Sequence, residues 1–350
     1  MAISQHTAAL NPAGGEGVSG IDEDALQDIF LARGWTDYLP VIIPTEERVA
    51  AMLAGSNFAA EHAVGARRLK VADIAVNAVM AGAAPEYLPV ILALAASGQT
   101  AREGDPSSPA AMVVVNGPIR LELAMNAGIG AMGPYNHANS TIGRAFGLLS
   151  QNLLGGSVPG VSYFGSQGNN YSFSNICFPE NEERSPWEPF HVEHGYRLDE
   201  STVSVFGSCR HNTFTLGLRE MHWRTHVSRM LLGMDPTEHP LFALDPIAAR
   251  QFVERGSFAT KSAMADWVYD RARLPAREYW GYPRVQRLLR PRAEAGEEPF
   301  VTALKTPPEE MVHLFPRDSI HTVVVGGETN GYWRMFGANY LGTFSIDSWR

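Results

Sequence analysis

A run of β-branched residues that stops at a glycine and a proline, AMVVVNGP (111–118), constrains this chain more than any other stretch. It lacks the polar alternation of a half-exposed strand. It therefore reads as a strand buried on both faces that releases Asn116 and Gly117 into a loop. A second run of this kind, SIHTVVVGG (319–327), lies near the other end of the sequence, with STVSVFG (201–207) and PLFALDP (240–246) between them. Helical patterns separate these strands, notably in the segments TIGRAFGLLSQNLLGG (141–156) and TLGLREMHWRTHVSRMLLGM (215–234) and over 247–254 and 261–271. Strands alternating with helices predict an α/β fold with a mixed or largely parallel sheet flanked by helices.

The first hundred residues are expected to be mostly helical. Leu26, Ile29 and Phe30 recur at helical spacing and Gly34 stops the segment. Thr45 is placed to cap a helix whose first turn holds Glu46 and Glu47 and which Gly55 closes. Two further helical segments cover 71–80 and 85–96. We expect a flexible leader over 1–20, an N-terminal α/β lobe over 21–180 and a C-terminal α/β lobe over 181–350. The charged, proline-bearing stretch 284–308 is expected to be a surface excursion.

Composition narrows the function classes. The 350 residues carry a formal charge of −9 and no basic run, which argues against nucleic acid as a main partner. The two cysteines, Cys177 and Cys209, form no CxxC and point to a reduced, cytoplasmic protein without a disulfide framework. The most apolar stretch, 71–96, is broken by Asp73, Asn77, Gly82, Pro85, Glu86 and Pro89, so no membrane span is expected. Gly128-Ile-Gly130 followed by Gly133 matches GxGxxG only literally, because a loop of about ten residues separates it from the preceding strand. No NAD, flavin or ATP signature appears.

Five features can carry chemistry. The Gly/Asn-rich loop 126–144 can present converging backbone amides and a helix amino terminus to a small anion. Asn126, Asn136, Asn139, Ser140 and Thr141 are the candidate contacts, Asn139, Ser140 or Thr141 the helix cap, and Arg144 a donor fork. In FHVEHG (190–195), read as extended, His191 and Glu193 share a face and make an acid/base pair. Glu180, Glu182, Glu183 and Glu188 lie nearby and read as mostly solvated, with Trp187 and Phe190 placed to wall a pocket. His222 and His226 stand one helical turn apart, a spacing compatible with a single divalent metal ion; an ordinary half-buried helix face explains them as well.

Lys261 follows Thr260, a helix cap, and is one of three lysines (with Lys70 and Lys305) among 28 cationic residues, so it is a candidate base or anion contact. Cys209 sits beside Arg210 and His211, neighbours that favour a thiolate, and reads as lying just after its strand; Cys177 reads as buried. Finally, Gly326, Gly327 and Asn330 follow a strand, and together with Asn116 and Gly117 can line a cleft at the strands' carboxyl ends. Tight structural turns account for both glycine pairs equally well.

Several stretches together resemble a family of largely uncharacterised bacterial proteins, some of whose relatives are associated with a small UGSC-motif (seleno)protein domain. They are WTDYLPVIIPTEERVAAML, AVNAVMAGAAPEYLPVILA, VVVNGP, GIGAMGPYNHANSTIGRA, NEERSPWEPFHVEHG and SIHTVVVGG, spread over roughly residues 35 to 330. The resemblance implies a hetero-oligomeric enzyme whose partner subunit or domain completes the site. In such relatives the redox-active residue sits in the UGSC unit; the nearest string here, Phe206-Gly207-Ser208-Cys209, has phenylalanine in that place.

From the residues themselves, the preferred expectation is an enzyme acting on a small anionic organic substrate by His/Glu acid–base chemistry of lyase, hydratase or hydrolase type. The alternatives are a redox or scaffolding subunit that is inactive alone, and a metal-dependent enzyme using the histidine pair.

Overall fold

A computed structural model describes residues 7–20, 22–101, 110–155, 161, 163, 168–216 and 222–350. It has the expected α/β architecture, with a mixed six-stranded sheet in the order β11 (His321–Val324), β8 (Pro240–Leu244), β12 (Tyr332–Ser345), β7 (Thr202–Leu216), β5 (Ala110–Asn116) and β6 (Ile176–Pro179). The chain forms two compact units. The first takes residues up to Glu180, then His191–Gly207 and Leu341–Arg350; the second takes Asn181–Phe190 and Ser208–Tyr340. The boundary expected near 181 is thus only the first of four crossings. Residues 191–207 and 341–350 return to the first unit because two strands, β7 and β12, are long enough to belong to both.

In the first unit, β1 (Thr7–Ala9) and β2 (Val18–Gly20) pair as an antiparallel hairpin. The described part of the expected leader is therefore folded: Leu10 donates its N–H to Pro44 O, and the buried Asn77 donates to Pro12 O. Capping chemistry sets the helices that follow. Asp22 accepts the Ala25 N–H to start α1 (Glu23–Ala32), and Thr45 accepts the Arg48 N–H to start α2 (Glu46–Leu53). A short hairpin of β3 (Ala63–Val64) and β4 (Leu69–Lys70) leads into α3 (Val71–Met80), and Pro85 opens a 3-10 turn before α4 (Leu88–Ala96).

Then comes β5 (Ala110–Asn116), in which every residue is buried, as its β-branched run requires. The short α5 (Ile119–Glu122) follows, then α6 (His137–Asn152), β6 (Ile176–Pro179), α7 (Phe190–Glu193) and β7 (Thr202–Leu216). β5 and β6 run parallel, in register from Met112↔Ile176 to Val115↔Pro179. Their inner face carries Ala111, Val113, Val115 and Cys177, which share a core with α3, α4 and α6. Val203 and Val205 of β7 join the same core.

The second unit holds α8 (Trp223–Leu232), β8 (Pro240–Leu244), α9 (Pro246–Glu254), α10 (Lys261–Arg271), β9 (Arg273–Pro275) and α11 (Ala276–Tyr279). These are followed by α12 (Arg290–Glu294), α13 (Phe300–Lys305), β10 (Met311–His313), β11 (His321–Val324) and β12 (Tyr332–Ser345). β11 pairs parallel with β8, and β12 antiparallel with β8. An aromatic core of Trp223, Phe242, Phe252, Phe258 and Trp333 lies beneath them. The stretch 284–308 differs from the expected excursion. It is a set of short helical turns with its own small core of Tyr279, Val285, Leu289, Ala293, Phe300 and Val312, because its apolar residues are spaced for packing although its prolines keep each turn short. No helix among the described residues is long and apolar enough to cross a membrane.

Two histidines make the second unit sensitive to acid. Burial holds His239 below the ordinary imidazole range, with Arg292 acting in the same direction. Burial likewise lowers His313, which stacks on Tyr269 at 3.6 Å and bonds that residue's carbonyl through Nδ1. A lowered folded-state pKa contributes stability above the unfolded value near 6.5 that is lost as pH falls through the folded value. Glu238 works in the opposite sense: burial raises its carboxyl, so its contribution is present at low pH and lost as pH rises. The urea midpoint should therefore fall less between about pH 7.5 and about pH 5.5 in an H239Q/H313Q variant than in the parent. Equal pH dependence in the two proteins counts against this account.

Candidate functional site

The parallel pair β5/β6 ends in a buried polar cluster. Side chains alternate across a sheet. Since Val113, Val115 and Cys177 face α6, Val114 and Asn116 face the other way, as do Phe178 and Glu180. Asn116 and Glu180 stand opposite each other one step beyond the printed register, both fully buried, and Asn116 Nδ2 donates to Glu180 Oε2 at 2.7 Å. Arg120, itself buried, holds the corner by donating Nη1 to Glu180 O and Nε to Gly117 O, each at 3.0 Å.

Gly117 sets the third strand against this corner. Its φ is +83°, and a Cβ there would lie 2.1 Å from Glu200 O, so only glycine lets the start of β7 approach the end of β5 so closely. The same alternation then puts Thr202 and Ser204, the neighbours of Val203 and Val205, on the face that bears Asn116. Both are fully buried; Ser204 bonds the Thr343 hydroxyl at 2.7 Å, whereas Thr202 Oγ1 has no hydrogen-bond partner. Tyr196 donates its hydroxyl to Thr343 O and its N–H to His191 O, which ties the α7 segment to β12.

His191 is fully buried, and neither of its ring nitrogens has a hydrogen-bond partner. Leaving a buried polar group unsatisfied costs about 1–3 kcal/mol, so an imidazole with two such nitrogens is unusual in a folded core. The expected pairing with Glu193 does not form as drawn. Residues 190–193 are a helical turn rather than an extended segment, which directs positions i and i+2 to different sides, and Glu193 is exposed while His191 is buried. Glu180 and Arg120 are the residues that sequence reading missed. Glu180 looked like one of several solvated carboxylates, and nothing local marks Arg120 as buried.

The asparagines of the 126–144 loop are occupied in shaping it. Asn136, not Asn139, Ser140 or Thr141, caps α6, accepting the Asn139 N–H at 2.9 Å. Asn139 donates to Asn126 O and Ala131 O and accepts the Asn126 N–H, while Asn126 bonds Ile129 O and the Gly128 N–H. Thr141 returns its hydroxyl to His137 O. Arg144 grips Asp37 with two bonds of 3.0 and 2.9 Å and also bonds Pro40 O, so its fork serves a buried carboxylate of the chain itself. A cleft of about 270 Å³ remains beside the first turn of α6, lined by Met132, Pro134, Asn139, Ser140, Ser174 and Cys177. It lies on the α6 side of the sheet, the side from which the Asn116 and Glu180 side chains point away.

The remaining candidates are placed as follows. Cys209 lies inside β7, fully buried, not beyond the strand's end, and the His211 side chain is outside the described residues. Burial pushes the Cys177 thiol up to about 12. In the second unit, Lys261 is buried at the start of α10 with Nζ 5.9 Å from the ring centre of Phe190, which itself touches His321 and Tyr340. Trp187 belongs to the aromatic core and bonds Phe258 O. Gly326 accepts a bond from Asn181 Nδ2, Gly327 accepts the Thr329 N–H, and Asn330 is exposed. His222 and His226 are exposed at the start of α8, and the described residues contain no group of three His, Cys, Asp or Glu able to hold a metal.

Comparison of the chain with known protein families, with curated proteins and with solved structures found no match.

Two outcomes test this placement. Arg144→Met leaves the Asp37 carboxylate, 2 % exposed, without its cation, and should cost about 3 kcal/mol in chemical denaturation; a loss below about 1 kcal/mol would show the pair to be incidental. The two thiols should resist alkylation in the native protein and react together on unfolding. Fast labelling of either one under native conditions would contradict their burial.

Proposed function

We propose that the protein is an enzyme that moves protons on a small polar organic molecule, in lyase, hydratase or hydrolase chemistry, at the carboxyl ends of β5 and β6. The observation that carries this reading is His191, a fully buried imidazole with no partner on either ring nitrogen. Imidazole is the side chain whose ordinary pKa lies closest to neutrality, so it gives and takes protons with little driving force in either direction. Glu180 replaces Glu193 as the carboxylate of the site. Asn116 orients one of its oxygens, and the hydroxyl of Thr202 offers a further donor on the same sheet face. Carboxyl ends of parallel strands are also where open α/β sheets place their ligands.

The anionic substrate expected from the sequence finds less support than the acid–base chemistry. Arg144 and Arg120 already hold Asp37 and backbone carbonyls. A thiol-redox role is supported less well again, since both cysteines are buried.

The test is a turnover screen of small hydroxy acids, enols, amides and lactones in deuterated water, read by proton NMR for hydration, cleavage or exchange. A substrate turned over by the parent should lose about 100-fold or more with His191→Gln and with Glu180→Gln, while both variants melt near the parent temperature. A folded H191Q protein that keeps its activity would overturn the assignment.

A further inference from the structure

A second cavity of the first unit, about 530 Å³ and open to solvent, lies between the end of α2, the turn into α4, α5 and Arg350. Its volume is that of a small-molecule site, which spans roughly 300–1,000 Å³. Gly55 brings two of its walls together: a Cβ there would lie 1.8 Å from Pro85 O.

The donors on these walls are mostly engaged: Ser56 gives its hydroxyl to Trp349 O, and the exposed Asn57 amide offers a donor and an acceptor alike. The Arg350 guanidinium is engaged, with Nη1 at 3.0 Å from Glu122 Oε2, Nε at 3.1 Å from Asp347 Oδ1 and Nη2 bonded to Ser201 Oγ. Pro85 and Pro89, at the start of the 3-10 turn and of α4, have no N–H to offer. Ala54 and Gly55 stand at the carboxyl end of α2, the negative end of its dipole. Glu86 is exposed on the wall and has no ion-pair partner among the described residues, so its carboxylate is the uncompensated charge of the cavity. Pro89, Ile119 and Leu123 supply apolar surface next to these acceptors.

We propose that this cavity binds a small organic cation of the primary alkylamine class, with the ammonium on Glu86 and the alkyl part against Pro89, Ile119 and Leu123. Its lining includes none of Asn116, Glu180, Thr202 or His191, and the proposal does not depend on them.

Calorimetric titration of the whole chain with butylamine tests this, with butanol and butyrate as uncharged and anionic controls. Butylamine should bind at millimolar concentration and the controls should not. Glu86→Gln should weaken butylamine about fivefold without moving the melting temperature, and added salt should weaken the parent toward the same level. Absence of butylamine binding, equal binding of butanol, or an E86Q protein that binds as the parent does would each overturn the proposal. The last outcome would assign any uptake to the general acidity of the surface.

Discussion

The parallel pairing of β5 with β6 is the contact on which the candidate site depends. A parallel pair needs a crossover, and α5, the asparagine-latched loop and α6 provide it. Once the register Met112↔Ile176 is set, every later position follows by alternation: Val113, Val115 and Cys177 go to the core under α6, and Asn116 and Glu180 go to the opposite face. A slip of one residue would reverse both sets, placing a carboxylate and an amide in the apolar core. The hydrogen bond between Asn116 and Glu180 thus reports the same register that the hydrophobic pattern specifies.

Glycine at 117 extends this order to a third strand. Its positive φ and the 2.1 Å that a Cβ would leave to Glu200 O show why the turn after β5 admits no side chain. The close approach brings the start of β7, and with it Thr202, beside the end of β5. Polar groups from three strands then share one buried face, where an unmet hydrogen bond is costly and a proton-transfer group is shielded from bulk water.

Much of the local structure was legible in the sequence because it rests on neighbours. Thr45 and Thr260 cap helices through bonds to backbone only three residues away, and the β-branched run at 111–115 can hardly be anything but a buried strand. The sequence misleads where a residue's partner is distant in the chain. Arg144 reads as an open donor fork, yet its partner Asp37 is 107 positions away. Glu180 reads as one of several mostly solvated carboxylates, and Asn116, 64 positions away, is what receives it. The leader reads as flexible, but its carbonyl at Pro12 is held by Asn77.

By itself the sequence determined the class of fold, the starts of helices such as α2 and α10, and the strands β5, β8 and β11 with the start of β7, since these follow from capping, periodicity and β-branching within a few residues. Only the tertiary structure decided which polar residues act as scaffold and which are left with unmet bonding capacity. It committed Asn126, Asn136, Asn139 and Arg144 to internal partners, buried Glu180 against Asn116 while leaving Glu193 exposed, and left both ring nitrogens of the buried His191 without a hydrogen-bond partner. The physical reason is that hydrogen-bond satisfaction is a property of three-dimensional neighbours. Two asparagines with the same local sequence preferences differ in role only by what the fold brings within 3 Å of them.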